Sequence, residues 1–294
     1  MIKLILLLGT VALAGSITKA DEALRAHAEA GDAEDKYQVG MLYLHGGGVA
    51  KDPVEGMKWL RKAAEQGYRD ALRELVLVYS HGKDVPEDRA EALKWSRKLA
   101  EQGDKEFQLE LGRAYETGIG APKDAAESVK WYRKAAEQGV VEAQLELGRA
   151  YETGSGVPRN AAESVGWYLK AAEQGDAWAQ YQIGSAYEQG IGVRRNAAEA
   201  LKWYRKAAEQ GEAFALCALG RRYQDGTGLT KDWVEAYAYY LLAGERMPDL
   251  PNAQSGRSLM EKILNREQRA AGQRRAGELK LEIEARRKGA AGAP

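Results

Sequence analysis

Gly31, Gly67, Gly103, Gly139, Gly175 and Gly211 each close a version of the phrase Ala-Glu-Gln-Gly, and each interval is 36 residues. Other columns keep the same step. Tyr43, Tyr79, Tyr115, Tyr151, Tyr187 and Tyr223 form one, and Gly46, Gly82, Gly118, Gly154, Gly190 and Gly226 another. Trp59, Trp95, Trp131, Trp167 and Trp203 form a third, completed by Tyr239. In the middle of the chain the copies are close to verbatim, as in ELGRAYETGIG from Glu110 and ELGRAYETGSG from Glu146. A fixed period in this range is the mark of a solenoid, where one supersecondary unit is stacked on copies of itself.

Each copy reads as two helices. In the fourth, Ala143, Leu147 and Tyr151 lie four apart and share one face of helix A, from about Glu142 to Thr153. Gly148 beside that face admits a close neighbour. Gly154 and Gly156 then permit the positive φ of a tight exit. Helix B opens at Asn160 with Glu163 three residues on, the spacing of a capping box in which each side chain bonds the other's backbone N–H. Asp52/Glu55, Asp88/Glu91, Asp124/Glu127, Asn196/Glu199 and Asp232/Glu235 repeat it, and Pro53 takes a first helical position. The expected fold is all-α: a solenoid of six 36-residue helix-turn-helix repeats at 32–67, 68–103, 104–139, 140–175, 176–211 and 212–247.

Stacked repeats need caps at both ends. Leu24 to Gly31 aligns with Leu60 to Gly67, so residues 21–31 read as an N-terminal capping half-repeat. After Ala243 the pattern decays. Residues 248–288 read as C-terminal capping helices near 253–264 and 266–287, with capping-box spacing at Asn265/Gln268, and 289–294 as a disordered tail. The N-terminus differs. Lys3 precedes an apolar run from Leu4 to about Gly15, too short for a comfortable span of about 20 residues and of the length of a secretory signal. Cleavage is expected after Ala20 or after Ser16. An uncleaved anchor is the alternative. The mature chain is expected to be periplasmic or secreted, without membrane insertion.

Equal numbers of basic and acidic residues, 43 each, leave no global field for nucleic acid. The lone Cys217 excludes an internal disulfide framework and a cysteine-cluster metal site. His45 and His81 share one register slot. Equivalent helices about 10 Å apart cannot bring them to one ion. The TGIG and TGSG loops follow helices and lack Lys-Ser/Thr, so they read as helix exits and not as phosphate loops. No catalytic set and no cofactor emerge.

The motif LGxxYxxGxGV followed by AxxWYxxAAxxG resembles the SEL-one-like repeat, a relative of the tetratricopeptide repeat. It is carried here by Leu147-Gly148, Tyr151, Gly154, Gly156, Val157, Trp167-Tyr168, Ala171-Ala172 and Gly175. The resemblance spans residues 32–244 and implies a right-handed superhelix used for protein–protein contact. Bacterial members with signal peptides imply roles in envelope regulation, polysaccharide export or host interaction. A branch stapled by cysteine pairs is associated with β-lactam binding, and this chain does not match it. The second repeat departs, with Val76 for glycine, Asp84 for the second loop glycine and Ser96 after its tryptophan, and is expected to pack less closely.

The register columns, among them Tyr115, Gly118, Trp131, Gly139, Tyr151, Gly154, Trp167, Gly175, Tyr187 and Trp203, read as packing positions. A carbohydrate-stacking strip is the other reading of the tryptophans. In tetratricopeptide-like solenoids helix A lines the concave side, which implies a partner-binding face of Tyr37, Arg73, Leu109, Arg113, Leu145, Arg149, Tyr181 and Arg221, with Met41, Leu77, Ser185 and Cys217 in the same slots. Trp178 and Phe214 add large aromatics. A competing role for Arg113 and Arg149 is pairing with Glu116 and Glu152. The functional expectation is a non-enzymatic exported adaptor holding a peptide or protein surface. Its rivals are an envelope hydrolase or glycan-binding protein, and a spacer whose tail, Arg266 to Arg287, pairs with another helix.

Overall fold

The computed structural model describes residues 25–46, 49–82 and 85–291. The expected export signal and Asp84 lie outside the described residues. Two compact units divide the chain, Met1–Gln138 and Gly139–Pro294. Among the described residues every regular element is helical.

In the first unit, residues 25–30 are helical and precede α1 (Ala33–His45), α2 (Pro53–Glu65), α3 (Arg69–His81), α4 (Arg89–Glu101), α5 (Lys105–Thr117) and α6 (Ala125–Glu137). In the second, α7 (Val141–Thr153), α8 (Ala161–Glu173), α9 (Ala177–Gln189), α10 (Ala197–Ala208), α11 (Ala213–Asp225) and α12 (Trp233–Arg246) precede α13 (Pro251–Ile263) and α14 (Arg266–Ala291). Within each unit consecutive helices pack on one another as far as α13, and α14 packs on α12. Each unit is therefore an α-solenoid of helical pairs, with odd-numbered helices from α1 to α11 in the A position and even-numbered ones from α2 to α12 in the B position.

The period encodes its own joints. Helix α7 ends at Gly154, whose φ of 82° turns the chain and whose N–H returns to the Ala150 carbonyl at 2.8 Å. Asn160 then caps α8, its side-chain oxygen accepting from the N–H of Ala162 at 3.1 Å and of Glu163 at 3.2 Å. The reciprocal half of the expected capping box is not made. The N–H of Asn160 donates instead to the Tyr151 carbonyl at 2.9 Å, and the corresponding cap in the other five repeats does the same at the same distance. That leaves the glutamate free to turn along the helix. Glu127 accepts from the Trp131 indole at 3.1 Å and from Lys130 at 2.9 Å, and Glu91 repeats both bonds with Trp95 and Lys94. The junction before α14 closes the complete box, with Asn265 and Gln268 bonded both ways at 3.0 and 2.9 Å.

The glycine inside helix A seats a ring. A Cβ on Gly112, Gly148 or Gly184 would lie 2.4, 2.5 or 2.6 Å from the ring of Tyr132, Tyr168 or Tyr204. The same tyrosines donate to Glu116, Glu152 and Glu188 at 2.7, 2.9 and 2.7 Å. In the second repeat Val76 replaces the glycine and a buried Ser96 replaces the tyrosine. The departure is thus one exchange of volume from helix B to helix A, not two separate losses.

Trp59, Trp95, Trp131, Trp167 and Trp203 are buried, with no more than 7% of any one exposed. They are core, as expected, and cannot act as an open stacking strip. A lysine three residues on lies over each ring, at 4.0 Å for Lys134 on Trp131 and 3.6 Å for Lys170 on Trp167. The glutamine of Ala-Glu-Gln-Gly links neighbouring repeats. Gln138 donates to the Gly103 carbonyl at 3.0 Å and to buried Gln108 at 2.7 Å, and Gln210 does the same to Gly175 and Gln180 at 2.9 Å each. That link was not anticipated from the sequence.

Helix α14 buries Leu279 and Ile283 in the last core cluster and brings Gly272 beneath the Tyr237 ring. It runs to Ala291, three residues beyond the expected end at 288 and into the stretch read as a disordered tail. Lys288, Ala290 and Ala291 favour helix enough to carry it past Gly289, and no proline stands before Pro294 to stop it. Among the described residues no helix is long and apolar enough to cross a membrane.

Candidate functional site

The expected partner-binding residues separate into those already engaged by neighbouring repeats and those that share a cavity. In the first unit, Arg73 reaches the buried Asp104 carboxylate at 2.8 Å, where Arg69 also binds at 3.3 Å. Asp104 is the N-cap of α5, so Arg73 fastens one repeat to the next. Tyr37 is half-buried, its ring 5.3 Å from that of Tyr68. Leu109 is half-buried and Arg113 exposed. Arg113 lies beside Glu110, whose carboxyl is raised by burial while the guanidinium opposes the rise.

In the second unit, half-buried Leu145 packs on the core around Tyr168. Arg149 pairs with Glu146, three residues before it, and Glu152 accepts from Tyr168. Trp178 stands edge-on to Tyr168, ring centroids 5.2 Å apart at 84°. It completes a repeat contact and stays outside the cavity described next.

Tyr181, Phe214 and Arg221 do come together. They line a cavity of about 420 Å³ walled by α9, α11 and α13. Tyr181 and Phe214 are half-buried and stacked, with centroids 5.4 Å apart at 28°, and Tyr181 also approaches Tyr204 at 5.8 Å. Ser185 and Cys217, from the same helix A slots, share the wall. Cys217 is buried, and burial pushes its thiol up to about 11, so it is not a poised nucleophile.

Several residues on the cavity or directly behind it escaped the sequence reading. Glu188 accepts from Arg221 at 3.1 and 3.2 Å, from Arg222 at 3.3 Å and from the Tyr204 hydroxyl at 2.7 Å. Burial and the Glu188 charge drive the Tyr204 hydroxyl well above its ordinary value, so it stays a donor. Arg222 is only 2% exposed, lies 5.3 Å over the Tyr204 ring and bonds the Thr227 carbonyl at 3.3 Å. Its Nε has no partner among the described residues. A signal for it existed, since the same slot holds Ala114, Ala150 and Ala186 in the three preceding repeats. Tyr240, whose hydroxyl donates to Gln224 at 2.9 Å, and Leu259 of α13 complete the apolar surface.

The remaining candidates for chemistry are dispersed. His45 and His81 end α1 and α3 and are exposed, and His27 lies 3.5 Å from Asp35. Among the described residues no three His, Cys, Asp or Glu side chains are grouped to hold a metal ion.

Comparison with known proteins accords with this architecture. The Sel1 repeat model matches residues 33–68, 70–104, 105–140, 141–176, 179–212 and 213–246. The crystal structure of c5321, a protective antigen of uropathogenic Escherichia coli displaying an SLR fold, is 36% identical with a TM-score of 0.62. The match covers 88% of this chain and 56% of that one, so the chain spans little more than half the length of that relative. A Sel1 repeat protein from Oxalobacter formigenes is 30% identical with a TM-score of 0.60, over 92% of this chain and 80% of that one. No curated protein matches significantly.

Proposed function

The chain belongs to the Sel1 repeat family, and on that premise we propose that it is an exported adaptor that grips a polypeptide partner through the α9–α11–α13 cavity. Sel1 repeat proteins are generally non-catalytic scaffolds for protein contact. The observation that carries the reading is the Tyr181–Phe214 pair. The tryptophan column is used up in the core, whereas these two rings remain half-buried on an open cavity beside a charged arginine. Aromatic and arginine side chains in a partly desolvated pocket are the usual anchors of an interface. A cavity of about 420 Å³ is in the range that holds a side chain or a short peptide turn. Export is supported by Lys3 and the Leu4–Gly15 run alone.

Site-specific photo-crosslinking tests the site. A benzoylphenylalanine at Ser185 is expected to capture a polypeptide in the native host, and Phe214→Ala to abolish capture with helicity unchanged. Equal capture with and without Phe214 would move the site elsewhere. Cell fractionation and N-terminal sequencing test export: the mature chain is expected in the envelope or medium, starting at Asp21 or Ile17. An intact Met1 on a cytoplasmic protein would remove that part.

A further inference from the structure

Arg222 breaks a column of small residues, and its contacts show what that slot can hold. Ala114, Ala150 and Ala186 stand there in the three preceding repeats. Arg222 is 2% exposed. Its guanidinium lies 5.3 Å over the Tyr204 ring and donates to Glu188 and to the Thr227 carbonyl, both at 3.3 Å. One repeat earlier the same three positions are Tyr168, Glu152 and Ile191. All three line a pocket of about 190 Å³, together with Ala186. The two joints share their backbone. Gly190 and Gly226 have φ of 75° and 77°, and Gly192 and Gly228 of 70° and 72°. The Ile191 N–H donates to the Ala186 carbonyl at 3.1 Å, as the Thr227 N–H does to that of Arg222. Tyr168 donates to Glu152 at 2.9 Å, as Tyr204 does to Glu188 at 2.7 Å. The joints differ in their cations. Glu188 is met by Arg221 at 3.1 Å and by Arg222 at 3.3 Å. The matching slots facing Glu152 hold Ser185 and Ala186. Among the described residues Glu152 makes no ion pair and no cation lies over the Tyr168 ring. Glu152 is accordingly exposed where Glu188 is half-buried.

We infer that this pocket takes a guanidinium from outside the chain, laid on the Tyr168 ring and bonded to Glu152 and the Ile191 carbonyl, as Arg222 is held one repeat on. Net charge does not make the selection, since Arg159 also lines the pocket and offsets Glu152. Arg195 holds the same loop position beside the Glu188 joint, and Arg222 is seated there all the same. The selection comes from a ring, a carboxylate and a carbonyl in the register that already holds a guanidinium. A flat guanidinium stacks on a ring and bonds acceptors at its edge at once, which a lysine ammonium does not. Entry has a local cost. A Cβ on Gly192 would lie 2.3 Å from the Ala161 carbonyl, whereas the nearest atom to one on Gly228 is Nη1 of Arg222, at 3.5 Å. The loop thus rests on α8 where alanine holds the slot, and a guest lifts it, so the Gly192 amide reports its arrival. The pocket adjoins the α9–α11–α13 cavity at Ser185 and Gln189, and the inference holds whatever that cavity binds.

The test titrates the 15N-labelled full chain with N-acetyl-arginine amide, with the lysine amide, and with the citrulline amide, which has the shape of arginine without its charge. The arginine compound is expected to give saturable shifts at Glu152, Ala186, Ile191 and Gly192. The lysine and citrulline compounds should bind about fivefold or more weakly. Glu152→Gln keeps an acceptor for Tyr168 and should weaken arginine binding about threefold or more. Ala186→Arg fills the pocket from within, as Arg222 fills the next, and should abolish the shifts. Arg222→Ala should open a second site, read at Thr227 and Gly228. Citrulline binding as tight as arginine, indifference to Glu152→Gln, or no saturable shift at these residues would each overturn the inference. Shifts that survive in a folded Ala186→Arg chain would do the same. If that variant does not fold, citrulline and Glu152→Gln decide alone. Free L-arginine run beside a capped Gly-Arg-Gly peptide separates the sources. Tighter peptide binding assigns an arginine of a polypeptide partner, and tighter binding of the free amino acid a small guanidino compound; both keep the site.

Discussion

At the scale of single residues, the repeat is held by exchanges of volume that a column of letters half conceals. The glycine of helix A was legible as a point of close approach. That it seats the tyrosine following the repeat tryptophan was not, because the two are 20 residues apart and only folding brings them together. Gly148→Ala sets a Cβ 2.5 Å from the Tyr168 ring and is expected to destabilise by about 1–3 kcal/mol despite the better helix propensity of alanine. Gly166→Ala, in exposed helix with nothing near its Cβ, should stabilise by about 0.5–1 kcal/mol. Urea melts of the two variants should therefore move in opposite directions. The Val76/Ser96 repeat supplies a sharper check. Gly148→Val should be worse than Gly148→Ala, and adding Tyr168→Ser should recover about 1 kcal/mol or more, since neighbouring substitutions in one contact do not add. If the double variant only sums the two losses, the exchange is not the rule of the repeat.

At the scale of helices, starts and stops were read closely, since caps are written in a few adjacent residues. What the spacing could not give was the competition for the cap's own N–H, which a carbonyl nine residues earlier wins in all six repeats. Helix A starts are less uniform. Asp104 and Asp176 cap α5 and α9 with their side chains, whereas Val140 leaves α7 without a side-chain cap. Val140→Asp is expected to stabilise by about 1 kcal/mol in thermal or urea unfolding. Glu212 caps α11 through a 2.6 Å bond from the Ala215 N–H, at the cost of a half-buried charge. Burial, opposed by that backbone bond, raises its carboxyl above the ordinary value. A raised carboxyl contributes stability that is present below the unfolded-state pKa and lost as pH rises through the folded one. Glu212→Gln keeps an oxygen acceptor and avoids the charge. Its Tm should exceed that of the parent at pH 7, and the gap should close below about pH 4.3, where the unfolded-state carboxyl is protonated too. A gap that stays constant with pH would assign the effect to packing.

At the scale of the whole chain, the number and kind of repeats were legible because the period never slips. It runs unbroken across Gln138 and Gly139, where the two compact units divide, and so gave no sign of that division. The third wall of the cavity was not legible either. Helix α13 has left the repeat pattern, and what places it beside α11 and α12 is packing, with Gly256 fitted under the Tyr240 ring. Helix α14 was read both as a cap and as a free docking helix, and the two readings part on one measurement. As a cap, it shields α12 through Leu279 and Ile283 and ties Glu235 to Arg275 at 3.2 Å. Ending the chain at Asn265 would expose that face. In a linear array each repeat leans mainly on its neighbours, so the loss should travel only a short way. Hydrogen exchange should therefore accelerate about tenfold or more in α12 and α11, less in α10, and hardly at all in α7 and α8. A docking helix would leave α11 and α12 as protected as before and would change only what the protein assembles with. Uniform loss of protection from α7 to α12 would contradict both, since it would make the second unit one cooperative body and not a stack held by its ends.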